Sequence, residues 1–325
     1  MNKPLKDIGL SALLGALSYA LFLCMLYSNA NLFGGAVRTV GMAFATVPLL
    51  YAGLSFGYTG MAVSFIGAAL AASFGKAEHF DIFKNYYTLV EMLPASVLII
   101  AALPVKGKQI SLGGLSTVLS LVVVFVAGYA CFMINRNILS AYNYDGTTDV
   151  SSFLMSVFEK TQIGQGLKNS SSGETIFNII RALMPILPAL AGILIISRIM
   201  LNAYFGLEAA FRTKKCLRAK EEYLSFKVPS AAVIFTLACL ITALFTAGLK
   251  RYVNYNLALI AAVPLALEGM VFFHNFTKDK KYGRVMLVLF YVIILVTDIW
   301  GYIATAVLGA YDWTVKNKLI GKVKI

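Results

Sequence analysis

The chain alternates long apolar runs with short polar segments along almost its whole length. A run of about 20 apolar residues crosses the ~30 Å hydrocarbon layer of a bilayer. Lipid offers free backbone groups no partner, so each run is expected to be a helix. The pattern predicts an all-α polytopic transmembrane helical bundle of about 8–10 spans, forming a single integral membrane domain. The predicted spans lie near 8–28, 39–56, 58–74, 86–104, 112–134, 177–201, 229–249, 255–275 and 285–309.

One polar interval between spans has an amphipathic pattern of its own. Apolar residues recur at helical spacing from Val150 to Phe158, and Asp149 precedes them as an N-cap. We therefore expect a short amphipathic surface helix near 150–158. It either lies on the outer membrane surface or packs over the mouth of the bundle.

Composition narrows the class of protein further. Of the 325 residues, 59% are hydrophobic and only 13% are charged, against about 25% charged in an ordinary soluble protein. Mean hydropathy is +0.78. These values exclude a soluble globular enzyme and a disordered chain. The net charge is 28 − 15 = +13, but the basic residues lie in short segments between apolar runs, so a nucleic-acid partner is not expected.

The sequence contains no motif typical of an ATPase, a lipase or a zinc protease. Its cysteines and histidines are too scattered to suggest a metal site. We therefore predict no catalytic residue, no metal and no cofactor, and a protein that is not an enzyme.

The interval 202–228 holds six of the 28 basic residues. Positive residues are retained on the cytoplasmic side of a membrane, so this loop is expected to be cytoplasmic. The cluster either anchors the loop against anionic lipid or offers a docking surface to a membrane or cytoplasmic protein partner.

Small residues recur at four-residue spacing on the first predicted helices. Helices in lipid pack through close backbone approach, which such residues permit. This pattern predicts a helix-packing face inside the chain or a face for a partner subunit. The residues concerned are Ala12, Ala16, Ala20, Gly53, Gly57, Gly67, Ala71 and Gly75.

Charged residues inside spans are costly and mark functional sites by default. Arg181 and Arg198 lie near opposite ends of their predicted helix, from which both can also reach lipid headgroups. Glu268 and Asp298 both fall near mid-depth of their spans, and Pro264 breaks the helix before Glu268 and frees the carbonyl of Ile260. The alternative for these carboxyls is a structural, protonated group bonded to a neighbouring helix. The candidate intramembrane polar site comprises Glu268, Asp298, Tyr291, Tyr302, Arg181 and Arg198, and Glu91 is a further charge within a span.

Five segments with marked proline, glycine and acidic positions follow one another along the chain. They are ATVPLLYAGLSFGYTGMAVSFIGAALAASFG, LVEMLPASVLIIAALP, FKVPSAAVIF, NLALIAAVPLALEGMVFFH and LGAYDWTVKNK. In this order they resemble the YybS-like family of bacterial membrane proteins of unknown function, over roughly residues 40–320. Glu268 departs from that pattern, in which an uncharged amide is expected.

The family is more distantly similar to the substrate-binding membrane subunits of energy-coupling-factor vitamin transporters. In those subunits an alanine stripe on the first helix contacts the coupling subunit. The resemblance implies such a role for Ala12, Ala16 and Ala20, and it implies a multi-pass protein of the bacterial cytoplasmic (inner) membrane.

Two main functional hypotheses follow. The first is a non-enzymatic, transport-related protein that binds a small solute of unknown identity between helices. The alternative is a membrane scaffold for cell-envelope biogenesis, whose loop 202–228 recruits protein partners. A membrane enzyme that uses Glu268 and Asp298 is a third hypothesis.

Overall fold

The computed structural model describes residues 3–27, 39–41, 43–74, 77–105, 107–134, 142, 144, 149–168 and 173–317. Throughout these ranges the regular structure is helical, apart from an isolated bridge between Val105 and Lys108. The prediction of an all-α polytopic bundle is confirmed. In the described ranges, six segments are long and apolar enough to cross a membrane, namely Leu5–Cys24, Val47–Ser73, Phe80–Ala102, Leu112–Cys131, Gly173–Arg212 and Gly248–Thr277. Two shorter apolar helices are Ser230–Leu244 and Gly283–Thr297.

The helices are labelled here in chain order. They are α1 (Lys3–Tyr27), α2 (Val47–Ser73), α3 (Ala77–Ile82), a π-helix (Phe83–Met92), α4 (Leu93–Ala102), α5 (Leu112–Ile134), α6 (Val150–Lys160), α7 (Gln162–Lys168), α8 (Gly173–Leu183), α9 (Leu187–Arg212), α10 (Ser230–Leu244), α11 (Gly248–Ala261), α12 (Val263–Thr277), α13 (Gly283–Thr297) and α14 (Ile299–Lys316).

The chain groups into two compact units. Unit 1 comprises Met1–Val122 and Ile195–Lys227, and unit 2 comprises Val123–Leu194 and Val228–Ile325. The single integral membrane domain expected from the sequence stays a prediction.

In unit 1, α2 changes direction sharply at Gly57. The backbone there has φ 69° and ψ −153°, a conformation that favours glycine. A Cβ atom built on Gly60 would overlap the carbonyl oxygen of Ala52. In a straight helix these residues would be about 12 Å apart along the axis, so the chain folds back on itself. The turn lies where the sequence predicts one, between spans 39–56 and 58–74.

Helix α1 packs closely against the second half of α2. A Cβ atom added to Gly15 would lie 2.8 Å from the Cα of Ser64, and one added to Gly67 would lie 2.8 Å from the Cα of Ala12. Of the predicted small-residue face, Gly53 instead packs on Ile99. The remaining members divide by burial: Ala71 packs beside the buried cluster around Tyr19 and Tyr87, Ala12 and Ala16 are half-buried, Ala20 is exposed, and Gly75 lies outside the described residues.

In unit 2, the predicted span 285–309 is divided at Asp298. This residue ends α13 and begins α14 with φ 50° and ψ −118°. A Cβ atom on Gly301 would lie 2.7 Å from the Cα of Ile294, so the chain reverses direction here. Helix α14 then packs closely on α12, where a Cβ atom on Gly309 would lie 2.9 Å from the amide nitrogen of Gly269.

The amphipathic segment forms α6, as predicted. The Asp149 carboxylate accepts a hydrogen bond of 3.0 Å from the backbone N–H of Ser152 and caps the helix. Met155 is buried with Phe177 and Met184, and Phe158 packs against this group. The apolar face of α6 is therefore covered by the segment that follows it in unit 2.

Candidate functional site

Of the six predicted polar residues, Arg198 belongs to unit 1 and the other five belong to unit 2, where those with a hydrogen bond or ion pair contact different partners. Asp298 is exposed between α13 and α14, so it does not share a continuous helical face with Tyr291 and Tyr302. The Tyr291 hydroxyl forms a 2.7 Å hydrogen bond with Nε2 of His274. Arg181 is exposed and contacts Glu159 at 3.6 Å. The sequence placed Tyr291, Asp298 and Tyr302 on one predicted span, 285–309, which the structure divides at Asp298.

Glu268 is fully buried and belongs to an ionic cluster in unit 2. One carboxylate oxygen accepts a 3.0 Å hydrogen bond from Nζ of Lys316, and the other accepts a 2.9 Å bond from the backbone N–H of Val228. Lys316 also pairs with Asp312, one turn earlier on α14. Both oxygens of Glu268 thus have donors, and they fasten α12 to α14 and to the entry of α10. These contacts favour the structural alternative for Glu268, which stays a prediction.

Tyr302 lies beside the break between α11 and α12. Its hydroxyl donates a 2.6 Å hydrogen bond to the carbonyl of Leu259, and Thr236 donates at 3.0 Å to the carbonyl of Ala261. Pro264 stands in the first turn of α12 and supplies no backbone N–H. The two hydroxyls therefore satisfy carbonyls at the end of α11, as lipid could not.

At a second proline break in unit 2, side chains of α11 form hydrogen bonds with the exposed backbone groups. Pro188 has no N–H for the carbonyl of Met184, and the Tyr252 hydroxyl donates to that carbonyl at 3.0 Å. The Asn256 amide inserts between Pro185 and Ala189: it donates to the Pro185 carbonyl at 3.0 Å and accepts from the Ala189 N–H at 2.9 Å. Buried Asn256 thus has a partner for each of its polar atoms.

Unit 1 contains a buried ion pair of a different kind. The Glu91 carboxylate, in the π-helix, pairs with the Arg198 guanidinium of α9 and accepts a hydrogen bond from the Thr46 hydroxyl. The Glu91 side chain is 0% exposed and that of Arg198 is 13% exposed. Arg198 therefore pairs inside the protein, although its sequence position also suggested a contact with headgroups. A π-helix is rare and frequently marks a functional site.

Asn202 lies one helical turn beyond Arg198 on the same face of α9. It is fully buried, and neither its amide nitrogen nor its amide oxygen has a hydrogen-bond partner among the described residues. An unpaired buried amide costs about 1–3 kcal/mol on the mutational scale. Glu91 and Arg198 stand out in the sequence as charges within predicted spans, whereas Asn202 and Thr46 do not. The available signal was the four-residue spacing of Asn202 from Arg198.

The basic loop that follows α9 uses several of its charges within unit 1. The buried Arg218 guanidinium donates to the carbonyls of Ala102 and Ile110 at 3.3 and 2.6 Å, and pairs with Glu221 at 2.8 Å. Burial lowers the pKa of the Arg218 guanidinium, and the Glu221 carboxylate opposes this shift. Lys215 pairs with Asp7 at 3.2 Å. Less of the cluster is therefore free for a lipid surface or a partner protein than the sequence suggested.

Among the described residues, no group of histidine, cysteine, aspartate and glutamate side chains has a geometry that could hold a metal ion. Within the same described ranges, the buried side-chain polar atoms without a hydrogen-bond partner belong to Ser55, Ser120 and Asn202, and Asn202 lies one helical turn from Arg198. We refer to Glu91, Arg198, Asn202 and Thr46 as the unit 1 polar site.

Comparison with known proteins identifies the family of this chain. No curated protein and no solved structure matches the chain. The family described as "Predicted membrane protein (DUF2232)" matches residues 16–313, which is most of the chain and includes every residue of the unit 1 polar site. The resemblance to the YybS-like family is thereby confirmed, and this multi-pass helical membrane protein belongs to the DUF2232 family of predicted membrane proteins.

Proposed function

We propose that this protein is a non-enzymatic, transport-related component of the bacterial cytoplasmic membrane that binds a small polar solute at the unit 1 polar site. The observation that carries this proposal is the buried, unpartnered amide of Asn202. It lies one turn from a buried ion pair, in a protein whose surroundings are largely apolar.

The two buried asparagines provide the argument. Asn256 is retained in an apolar setting because its amide supplies partners to the Pro185 carbonyl and the Ala189 N–H at the helix break. Asn202 has no such task, and its amide offers one donor group and one acceptor without a partner. A polar group that is buried and unpaired lowers stability, and such a cost is typical of a site that awaits a ligand.

The chemistry of the site defines the solute class. A ligand with one hydrogen-bond acceptor and one donor would satisfy both ends of the Asn202 amide. The adjacent Glu91–Arg198 pair is electrically neutral, so it favours a polar ligand without net charge over a bare ion. Ligand binding at such a site, between the π-helix, α2 and α9, is the step that a transport-related protein requires.

Replacing Asn202 and Asn256 separately by leucine tests this function. Leucine has the same number and branching of side-chain heavy atoms as asparagine. If Asn202 serves a ligand, Asn202→Leu should raise the free energy of unfolding of the ligand-free protein by about 1 kcal/mol, because it removes an unsatisfied amide. Asn256→Leu should lower it by about 2–4 kcal/mol, because one carbonyl and one N–H lose their partners. Thermal unfolding in detergent measures both changes.

The solute itself provides the second measurement. The wild-type protein is purified under mild conditions that retain a bound solute. It is then denatured, and the small molecules that it releases are identified by mass spectrometry. A compound at near-stoichiometric amount should accompany the wild type and be absent from Asn202→Leu and Asn202→Ala. Loss of stability in Asn202→Leu comparable to that in Asn256→Leu would contradict the proposal, as would equal release from wild type and variants.

A further inference from the structure

A second feature of unit 1 is a cavity of about 350 Å³ between α1, the turn of α2 at Gly57, and the segment that follows α9. Its wall is mostly apolar and includes Ile8, Val63 and Leu217. The backbone N–H of Leu217 donates a 3.0 Å hydrogen bond to the carbonyl of Leu54, which fixes this wall to α2. Asn202 does not line the cavity, so the site is separate from the unit 1 polar site.

Four polar residues line the cavity, namely Asp7, Ser11, Ser55 and Thr59, and two of them define the ligand chemistry. The Ser55 hydroxyl is buried, in a residue 7% exposed, and has no hydrogen-bond partner among the described residues. The Asp7 carboxylate also lines the cavity, and one of its oxygens, Oδ1, accepts from Lys215. An aspartate can accept through both oxygens, so Asp7 retains acceptor capacity.

The contacts of the Lys215 ammonium group indicate which chemical group can bind beside Asp7 and Phe56. Its Nζ lies 3.2 Å from Oδ1 of Asp7 and 4.7 Å from the centre of the Phe56 ring. Asp7 and Phe56 both line the cavity. A carboxylate and an aromatic face at these distances form the usual environment of an ammonium group. The lysine side chain is 38% exposed, so it can leave this position without unpacking the core.

We propose that this cavity is a binding site for a primary alkylammonium ion, with Lys215 as an intramolecular competitor. The ligand ammonium would replace Nζ of Lys215 beside Asp7 and Phe56 and would also bond to the Ser55 hydroxyl. Its alkyl chain would extend along Ile8, Val63 and Leu217. An anion is disfavoured by Asp7, and a purely apolar ligand would leave Ser55 unsatisfied.

The test uses 4,4,4-trifluorobutylammonium as the probe and ¹⁹F NMR of the full-length protein in detergent. The wild type should bind the probe, and Lys215→Met should bind it about threefold to tenfold more tightly, because methionine removes the competing ion pair with Asp7 and the competing cation–π contact with Phe56. Lys214→Met is the matched control, because Lys214 is the adjacent exposed lysine. It should bind like the wild type. Asp7→Asn and Ser55→Ala should each weaken binding.

Two outcomes would overturn the proposal. If 4,4,4-trifluorobutanol binds as tightly as the ammonium probe, the cavity selects only for an alkyl chain. If Lys215→Met binds the ammonium probe more weakly than the wild type does, or if every variant has the same affinity as the wild type, Lys215 does not compete for the site. Asn202→Leu should leave the affinity for the probe unchanged, so failure here and failure of the proposed solute site are distinguishable.

Discussion

Glu91 and Arg198 form a buried ion pair within unit 1, although 107 positions separate them along the chain. The pair joins the π-helix to α9, and the Thr46 hydroxyl adds a bond to the same carboxylate. A buried ion pair contributes little net stability over an apolar pair of the same size, but the loss of one partner leaves an uncompensated charge.

This asymmetry gives the first prediction. Arg198→Met alone should lower the free energy of unfolding by about 3–5 kcal/mol, because it strands the Glu91 carboxylate. The double variant Glu91→Gln, Arg198→Met should recover a large part of that loss. Thermal unfolding of Arg198→Met, Glu91→Gln and the double variant in detergent measures the coupling. Additive losses would mean that the two groups do not interact.

Two glycines of α1 should respond differently to replacement by alanine. Gly15→Ala places a methyl group against the Ser64 backbone of α2 and should cost about 1–3 kcal/mol through overpacking. Gly9 has nothing within 4 Å of an added Cβ atom, so Gly9→Ala should be neutral or stabilise α1 by up to ~1 kcal/mol. Unfolding in detergent compares the two. Equal effects would show that α1 and α2 are not in close contact at Gly15.

Asp298→Gly should stabilise the protein. The backbone at Asp298 has φ 50° and ψ −118°, a conformation in which a side chain is strained and glycine is not. Glycine relieves this strain in the folded protein, but it also has more conformational freedom in the unfolded chain, which opposes the gain. The net effect should be a rise of about 1 kcal/mol in the free energy of unfolding. A drop in stability, together with loss of a cation- or proton-linked activity, would instead support the functional role first considered for this carboxylate.

A double-mutant cycle tests the structural role of Glu268. Glu268→Gln and Lys316→Met should each lower stability, and the double variant should lose less than the sum by about 1–2 kcal/mol. Glu268→Ala should lose more than Glu268→Gln, because the Val228 N–H then has no acceptor. The control is Lys278→Met, which removes an exposed lysine near the end of α12. A coupling energy near zero would place Glu268 and Lys316 apart.

The orientation of the loop 202–228 requires a labelling site that the fold leaves accessible. Arg218 is buried and unsuitable, whereas Lys214 is exposed. In a Cys216→Ser background, a cysteine in place of Lys214 should resist an impermeant thiol reagent in intact cells and react after permeabilisation, as positive residues are retained inside. A cysteine in place of exposed Lys250 should react in intact cells. The reverse pattern would invert the topology.

Sequence reasoning located helix breaks where a proline marks them. Pro264 predicted the break before Glu268, and the structure ends α11 at Ala261 and begins α12 at Val263. No proline or glycine lies between Arg284 and Asp298, so the apolar pattern predicted a continuous helix there. The reversal at Asp298 depends on how α14 packs against α12, which a local pattern does not encode.

The partners of the charged residues could not be predicted for a similar reason. Lys316 lies 48 positions from Glu268, beyond the last predicted span. The sequence did not single out Asn202 because it is the first residue of the predicted loop 202–228, where a polar residue is expected to be exposed, whereas the structure continues α9 to Arg212. Only the arrangement of neighbouring helices shows that the Asn256 amide has backbone partners and that the Asn202 amide has none among the described residues.

The insertion of Asn256 between Pro185 and Ala189 has a consequence for how the protein folds during its synthesis. The broken segment leaves the ribosome well before its partner, since 67 positions separate Ala189 from Asn256. At a synthesis rate of about 5–20 residues per second, the delay is roughly 3–13 s. During that interval the freed backbone groups have no side-chain partner, and hydrocarbon cannot supply one. The nascent segment must therefore remain hydrated, or held by the insertion machinery, until α11 arrives.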